Sequence, residues 1–293
     1  MIKTPLITIC IPTYNREKFL PETLNSIIEQ DGFNEEDIEI VISDNASIDS
    51  TSIIVKGYQE KYKNIKYFKN DENIGSDRNI IKIMQLWTGQ YIWWITDDDI
   101  MLPGGLQIVK KNITENLGKD ICFFQTNFSI CNADMKTIFQ GSYIGEWLET
   151  KIYNNIHDLY DSYSYRHGWI AFFSVGIFSS KIRDLPISKI PVTHFPHSCI
   201  AWLISDKKSM FIGYDTIWFR QNNSSHENIG TFSVFFQLFV IDHMKYMKFL
   251  RQNKSVISQK ELTFILFKMI ILSILRACQS WIGISHDIFK KSN

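Results

Sequence analysis

Leu6-Ile7-Thr8-Ile9-Cys10-Ile11-Pro12-Thr13-Tyr14-Asn15 reads as a strand that runs into a polar loop. The near-continuous apolar, β-branched run is the pattern of a strand covered on both faces. Pro12 removes a backbone donor and breaks it. The stretch that follows places Phe19, Leu20, Leu24, Ile27 and Ile28 on one face of a helix. The unit recurs: Ile38 to Ser43 as strand and Ser50 to Tyr62 as helix, Ile65 to Lys69 as strand and Asp77 to Trp87 as helix, then Tyr91 to Thr96 as strand with a helix after Pro103. Short strands alternating with helices imply an α/β fold with a mainly parallel sheet flanked by helices. Ligands of such sheets bind beyond the carboxyl ends of the strands, and the polar clusters Pro12 to Arg16, Asp44 to Asp49 and Asp97 to Asp99 fall at those ends.

Beyond residue 120 the pattern is mixed. Ile121 to Gln125 and Met210 to Tyr214 read as strands around an aromatic-rich middle, Trp169 to Phe173. From Phe232 the chain turns helical and apolar. Leu262 to Leu275, interrupted by Lys268 and bounded by Arg276, is shorter than the roughly 20 apolar residues that span a bilayer. It suits a helix in the membrane interface, with Lys268, Arg276, Lys290 and Lys291 toward headgroups, or equally helices packed on the main domain or forming a homodimer.

Composition narrows the classes. The chain has 293 residues, with 31 basic and 31 acidic side chains, so no global field favours nucleic acid. The five cysteines are scattered without a CxxC pair, which argues against a disulfide framework or zinc knuckle and fits a cytoplasmic protein. No secretory signal pattern precedes the first strand.

Thr96-Asp97-Asp98-Asp99 carries the sharpest chemical signal. Unit charges 4 Å apart repel by about 4 kcal/mol at an effective dielectric of about 20. A buried strand end therefore needs a compensating cation, and hard oxygen ligands suit Mg²⁺ or Mn²⁺. A solvated acidic turn is the plainer alternative. Asp44 suits hydrogen bonds from a base or ribose, while Asp49 or Ser50 suits a helix cap. In Asn73-Ile74-Gly75-Ser76-Asp77-Arg78-Asn79, Gly75 permits close backbone approach and Arg78 offers a fork for phosphate or base oxygens.

Ile9 to Arg16, the Asp44 cluster, Asn73 with Gly75, and Asp97 to Asp99 before Pro103 occur in the order and spacing of family 2 glycosyltransferases, which the chain resembles over roughly residues 6 to 115. The resemblance implies a GT-A fold: residues 1–230 as one domain, with a nucleotide-binding half (1–115) and an acceptor half (116–230), followed by a hydrophobic helical region (231–293). It implies an inverting, metal-dependent transfer from a nucleotide-diphosphate sugar. Pro12, Thr13, Tyr14, Asn15 and Asp44 would line base and ribose, Arg78 and Asp97 would lie near the nucleotide, Asp98 would be the principal metal ligand and Asp99 a second. Many members carry a Glu-Asp pair whose carboxylate deprotonates the acceptor; here the segment reads His194-Phe195-Pro196-His197, and His197 takes the place of the base or serves the structure only. Phe219 to His226 resembles the family segment in which Arg and His approach the diphosphate or metal, which implies that place for Arg220 and for His226. Trp169 stacks on an acceptor sugar or fills the core. The wording Ile-Ser-Asp-Asn-Ala-Ser is similar to that of O-antigen and capsule enzymes, abequosyltransferase-like members among them, which implies surface polysaccharide biosynthesis on a lipid-linked acceptor at the inner face of the membrane. Two rivals remain: a sugar-1-phosphate nucleotidyltransferase, whose glycine-rich phosphate loop is missing near the N-terminus, and a catalytically degenerate nucleotide-binding scaffold.

Overall fold

The computed structural model describes residues 3–136, 138–140, 149–162, 173–193, 196–204, 206–220 and 242–253. The chain separates into two compact units, Met1–Glu227 and Asn228–Asn293.

In the first unit, β1 (Ile7–Thr13), β2 (Ile38–Asp44), β3 (Ile65–Lys69) and β4 (Tyr91–Trp94) are linked by α1 (Leu20–Ile28), α2 (Thr51–Lys61) and α3 (Ser76–Ile83). β1 pairs in parallel with both β2 and β4, and β2 with β3. Every residue of β2 is buried, the polar Glu39, Ser43 and Asp44 included, as in a strand covered on both faces. The short β5 (Ile100–Met101) leads to α4 (Gly105–Thr114). β6 (Phe123–Cys131), β7 (Ile138–Gln140), β8 (Lys151–Tyr153), α5 (Ile156–Asp161), β9 (Gly176–Ser179), α6 (Pro196–Leu203) and β10 (Ser209–Arg220) follow. One sheet has the order β3-β2-β1-β4-β9-β6-β10-β5, with β7 on β6 and β8 on β10. The long strands run parallel; the antiparallel pairs all involve the short strands β5, β7, β8 and β9. This is the mostly parallel α/β sheet that the sequence implies.

The strands read at Ile121–Gln125 and Met210–Tyr214 are longer than expected. β6 and β10 continue through polar residues to a common end, paired in parallel from Ser209↔Phe123 to Arg220↔Cys131 with register shifts between Ile212 and Ile217. Buried hydroxyls are held across the strands: Thr216 Oγ1 donates to Thr126 Oγ1 at 2.8 Å, and Ser129 bonds the Asp215 carboxylate.

In the second unit the described element is α7 (Asp242–Gln252). No helix among the described residues is long and apolar enough to cross a membrane. Leu262 to Leu275 and the basic residues Lys268, Arg276, Lys290 and Lys291 lie outside the described residues. Cys10, Cys122, Cys131 and Cys199 are free and buried.

Candidate active site

The three polar clusters meet at one rim because the strands before them are adjacent and in register. Thr13 pairs with Asp44 at the ends of β1 and β2, and Cys10 pairs with Trp94 on β4. Asn45 N–H donates to the Thr13 carbonyl and Ile95 N–H to that of Cys10, so the loops leave the sheet already tied together.

The first loop turns through Asn15, whose φ of 53° is in the left-handed region that asparagine tolerates. Its N–H donates to Ser47 Oγ at 2.9 Å and its Oδ1 accepts from Ile48 N–H at 2.9 Å. The polar atoms of Asn15 thus clasp the second loop. Pro12 is half-buried, Thr13 buried and Tyr14 exposed at the same turn.

The second loop is built on Asp44, which is fully buried. Its Oδ1 accepts from Ser47 N–H at 2.8 Å and its Oδ2 from the Tyr67 hydroxyl. Burial and the Asp44 carboxylate together push the Tyr67 phenol up, so Tyr67 remains a donor. Of the two cap candidates, Ser50 holds the N-cap position of α2 without a side-chain bond, and Asp49 just before it takes the free N–H groups: Oδ1 accepts from Thr51 N–H and Oδ2 from Glu17 N–H, both at 3.0 Å. Burial opposes its charge, but these bonds outweigh it and hold the carboxyl below the ordinary value.

Gly75 opens α3 at φ 88°, a conformation that side chains with a Cβ rarely adopt, although a Cβ there would meet no protein atom within 4 Å. Arg78 is exposed in the first turn. Asn79 is buried instead, accepting from Ser43 Oγ at 2.7 Å and donating to the Ser43 carbonyl at 2.8 Å, which locks α3 to the end of β2.

At the acidic triplet the three carboxylates diverge. Asp97 is buried, and Arg16 Nε donates to its Oδ1 at 3.2 Å. Asp98 Oδ2 lies 3.8 Å from Arg16 Nη2. Asp99 is fully buried; Oδ2 accepts from Ser174 Oγ at 2.5 Å, Oδ1 from Arg220 N–H at 3.2 Å, and its carbonyl from Thr23 Oγ1 at 2.8 Å. This geometry suits Asp99 to anchoring the loop rather than to the second-ligand role read from the sequence. Burial, reinforced by the Asp98 charge, pushes both Asp97 and Asp99 above the ordinary carboxylate range; Arg16 pulls Asp97 back only in part.

That residual negative charge fits a cation. Among the described residues no three His, Cys, Asp or Glu side chains group around a single point. A divalent ion that takes one or two carboxylates and completes its shell with water and substrate phosphates needs no such group.

His197 is 5% exposed in the first turn of α6, which packs against α3. His226 and Trp169 lie outside the described residues. Three contributors were not assigned from sequence, Arg16, Tyr67 and Ser174, while the fork of Arg220, which the resemblance turned toward the diphosphate or metal, is engaged by the Asp98 and Ala133 carbonyls and by Glu22. Arg16 stood inside the quoted motif, and its proximity to acidic residues about 80 positions away appears only when β1 and β4 pair.

Abequosyltransferase RfbV of Salmonella typhimurium is 41% identical over 118 residues, 40% of this chain and 35% of that protein. The GalNAc(5)-diNAcBac-PP-undecaprenol beta-1,3-glucosyltransferase of Campylobacter jejuni is 31% identical over 112 residues, 38% of this chain and 35% of that protein. The matches thus span little more than a third of these relatives. Among solved structures, S. aureus TarS 1-349 in complex with UDP-GlcNAc superposes with a TM-score of 0.66 at 16% identity, covering 90% of this chain and 71% of that one, which identifies the fold as GT-A. Residues 8–180, more than half of the sequence and the rim residues from Thr13 to Ser174 though not Arg220, match the profile of glycosyl transferase family 2, and the chain belongs to that family.

Proposed function

We propose that the protein transfers a sugar from a nucleotide-diphosphate donor to a hydroxyl of a saccharide acceptor, with inversion, in surface polysaccharide assembly. The observation that carries this reading is the convergence of the Asn15 turn, the Asp44 loop and Asp97 to Asp99 on one rim, with Arg16 joining the first to the third. The bound UDP-GlcNAc named for TarS supports a nucleotide-sugar donor, and the undecaprenol-linked glycan named for the Campylobacter relative supports a lipid-linked acceptor. Such an acceptor places the work at the cytoplasmic face of a membrane, with the C-terminal region as the peripheral contact.

Asp44 and the Pro12 to Asn15 turn bind the base and ribose, Asp97 borders the ribose, and Arg78 approaches the phosphates. Asp98 would hold Mn²⁺ or Mg²⁺, and the resemblance would add His226 as a further contact. The bound ion supplies Lewis-acid stabilisation of the departing diphosphate. Asp99 keeps the loop in place through Ser174 and Arg220. His197 takes the acceptor proton.

Asp98→Asn is expected to lower transfer by about 100-fold or more, the scale of removing one electrostatic stabiliser, and to abolish the response to Mn²⁺. Equal donor hydrolysis by the two proteins over a Mn²⁺ titration would remove Asp98 from catalysis. For His197→Ala, loss of transfer by about 100-fold or more with unchanged donor affinity is the expectation for a base; full transfer would move that role elsewhere.

A further inference from the structure

Arg220 is the last residue of β10, and its side chain is only 3% exposed. A buried guanidinium is costly unless its donors are satisfied. Here the fork is divided among three segments. Nε donates to the Asp98 carbonyl at 2.9 Å, Nη1 to the Ala133 carbonyl after β6, and Nη2 to Glu22 on α1. Its own backbone N–H holds Asp99, and its guanidinium carbon lies 5.0 Å from the centroid of Phe19. Arg16 approaches the opposite part of the triplet, bonding Asp97 and facing the Asp98 carboxylate, with its guanidinium carbon 5.8 Å from the same ring. The two arginines divide the labour: Arg16 meets carboxylates, whereas Arg220 grips the main chain that carries them.

We infer that Arg220 is a positioning residue for cation binding: by holding the Asp98 carbonyl, the Asp99 side chain and Glu22 at once, it sets the direction of the Asp98 carboxylate. It is not a direct ligand of the diphosphate, because its fork is turned to these protein acceptors. The inference rests on the proposed metal-dependent reading of Asp98. A planar fork is required, since an ammonium at this position reaches fewer of the acceptors and without the fixed geometry.

The test measures free Mn²⁺ by electron paramagnetic resonance in titrations of the full-length protein, alone and with uridine or cytidine diphosphate, for wild type, Arg220→Lys and Glu22→Gln. Circular dichroism and melting temperature establish the folded fraction. The expected result is a loss of Mn²⁺ affinity of about tenfold or more in folded Arg220→Lys, the effect typical of residues that orient a metal ligand. Glu22→Gln, changed at a side chain that is 55% exposed, should show a smaller loss in the same direction. A lowered melting temperature with unchanged Mn²⁺ affinity in the folded fraction would reduce Arg220 to a strut of the fold and overturn the inference. Should Arg220→Lys not fold, Glu22→Gln decides: unchanged affinity overturns the inference and weakened affinity sustains it. Wild type that takes up no Mn²⁺ in either condition overturns instead the metal reading of Asp98 itself.

Discussion

Asn15 shows how one residue can be chosen for two reasons. The turn needs a positive φ, and the second loop needs an acceptor for Ile48 N–H; asparagine supplies both. Glycine meets only the first need and alanine neither. Asn15→Ala is therefore expected to destabilise more than Asn15→Gly, by about 1 kcal/mol, the cost of a left-handed conformation for a residue with a Cβ; urea unfolding of the two variants checks the order. Sequence alone placed Asn15 at the rim, but its bond to the second loop was not legible, because that bond depends on β1 and β2 being neighbours. Asp44 was legible as a strand-end carboxylate, whereas its Tyr67 partner was not: Tyr67 looks like an ordinary strand aromatic until β3 pairs with β2.

At the scale of elements, the amino ends of the strands carry a latch that owes nothing to the rim. Glu39 is buried in β2 and accepts from Thr8 Oγ1 at 2.5 Å, from Thr88 N–H at 3.0 Å and Oγ1 at 2.8 Å, and pairs with Lys66. Thr8 Oγ1 in turn accepts from Gly89 N–H, so β1, β2, β3 and the turn before β4 meet at one carboxylate. Burial pushes the Glu39 carboxyl up, but the bonds from Lys66, Thr8 and Thr88 prevail and leave it below its ordinary 4.5. With the folded value depressed, the stabilisation is present in full above the ordinary value and drains away as pH falls through the folded one. Glu39→Gln should cost about 2 kcal/mol at neutral pH, the scale of hydrogen bonds to a charged group. It should also flatten the dependence of melting temperature on pH below about 4.5, where wild type loses stability steeply. The strands of this half were readable as mainly β-branched and aromatic runs, interrupted by Glu39 and Lys66, that end in polar residues. β6 and β10 defeated the same rule: Gln125, Thr126, Asn127 and Ser129 are buried in mid-strand, and a polar residue inside a strand carries the same letter as one that ends it.

For the whole molecule, the sequence order of elements sufficed for the α/β class and for the convergence of three loops, because parallel strands place their carboxyl ends together whatever their side chains. Local pattern could not reveal the bond between Glu22 and Arg220, which joins residues 198 positions apart. Nor did it expose β9, four residues that reverse direction between β4 and β6. The proposed peripheral attachment belongs to this scale. Full-length protein is expected to sediment with vesicles containing anionic lipid, and a chain ending after Gly230 to remain in the supernatant; equal partition of both would dismiss the C-terminal region as the contact.

The burial of the thiols has a practical side. Cys10, Cys122, Cys131 and Cys199 are enclosed, and loss of hydration raises all four thiols above their ordinary value, so few thiolates are available to an alkylating reagent. Ile48, beside the Asn15 turn, is 89% exposed. In a background with Cys278→Ser, a single thiol introduced by Ile48→Cys should accept a maleimide dye in the native protein. Its fluorescence would then follow arrival and departure of the donor in real time without a labelled substrate.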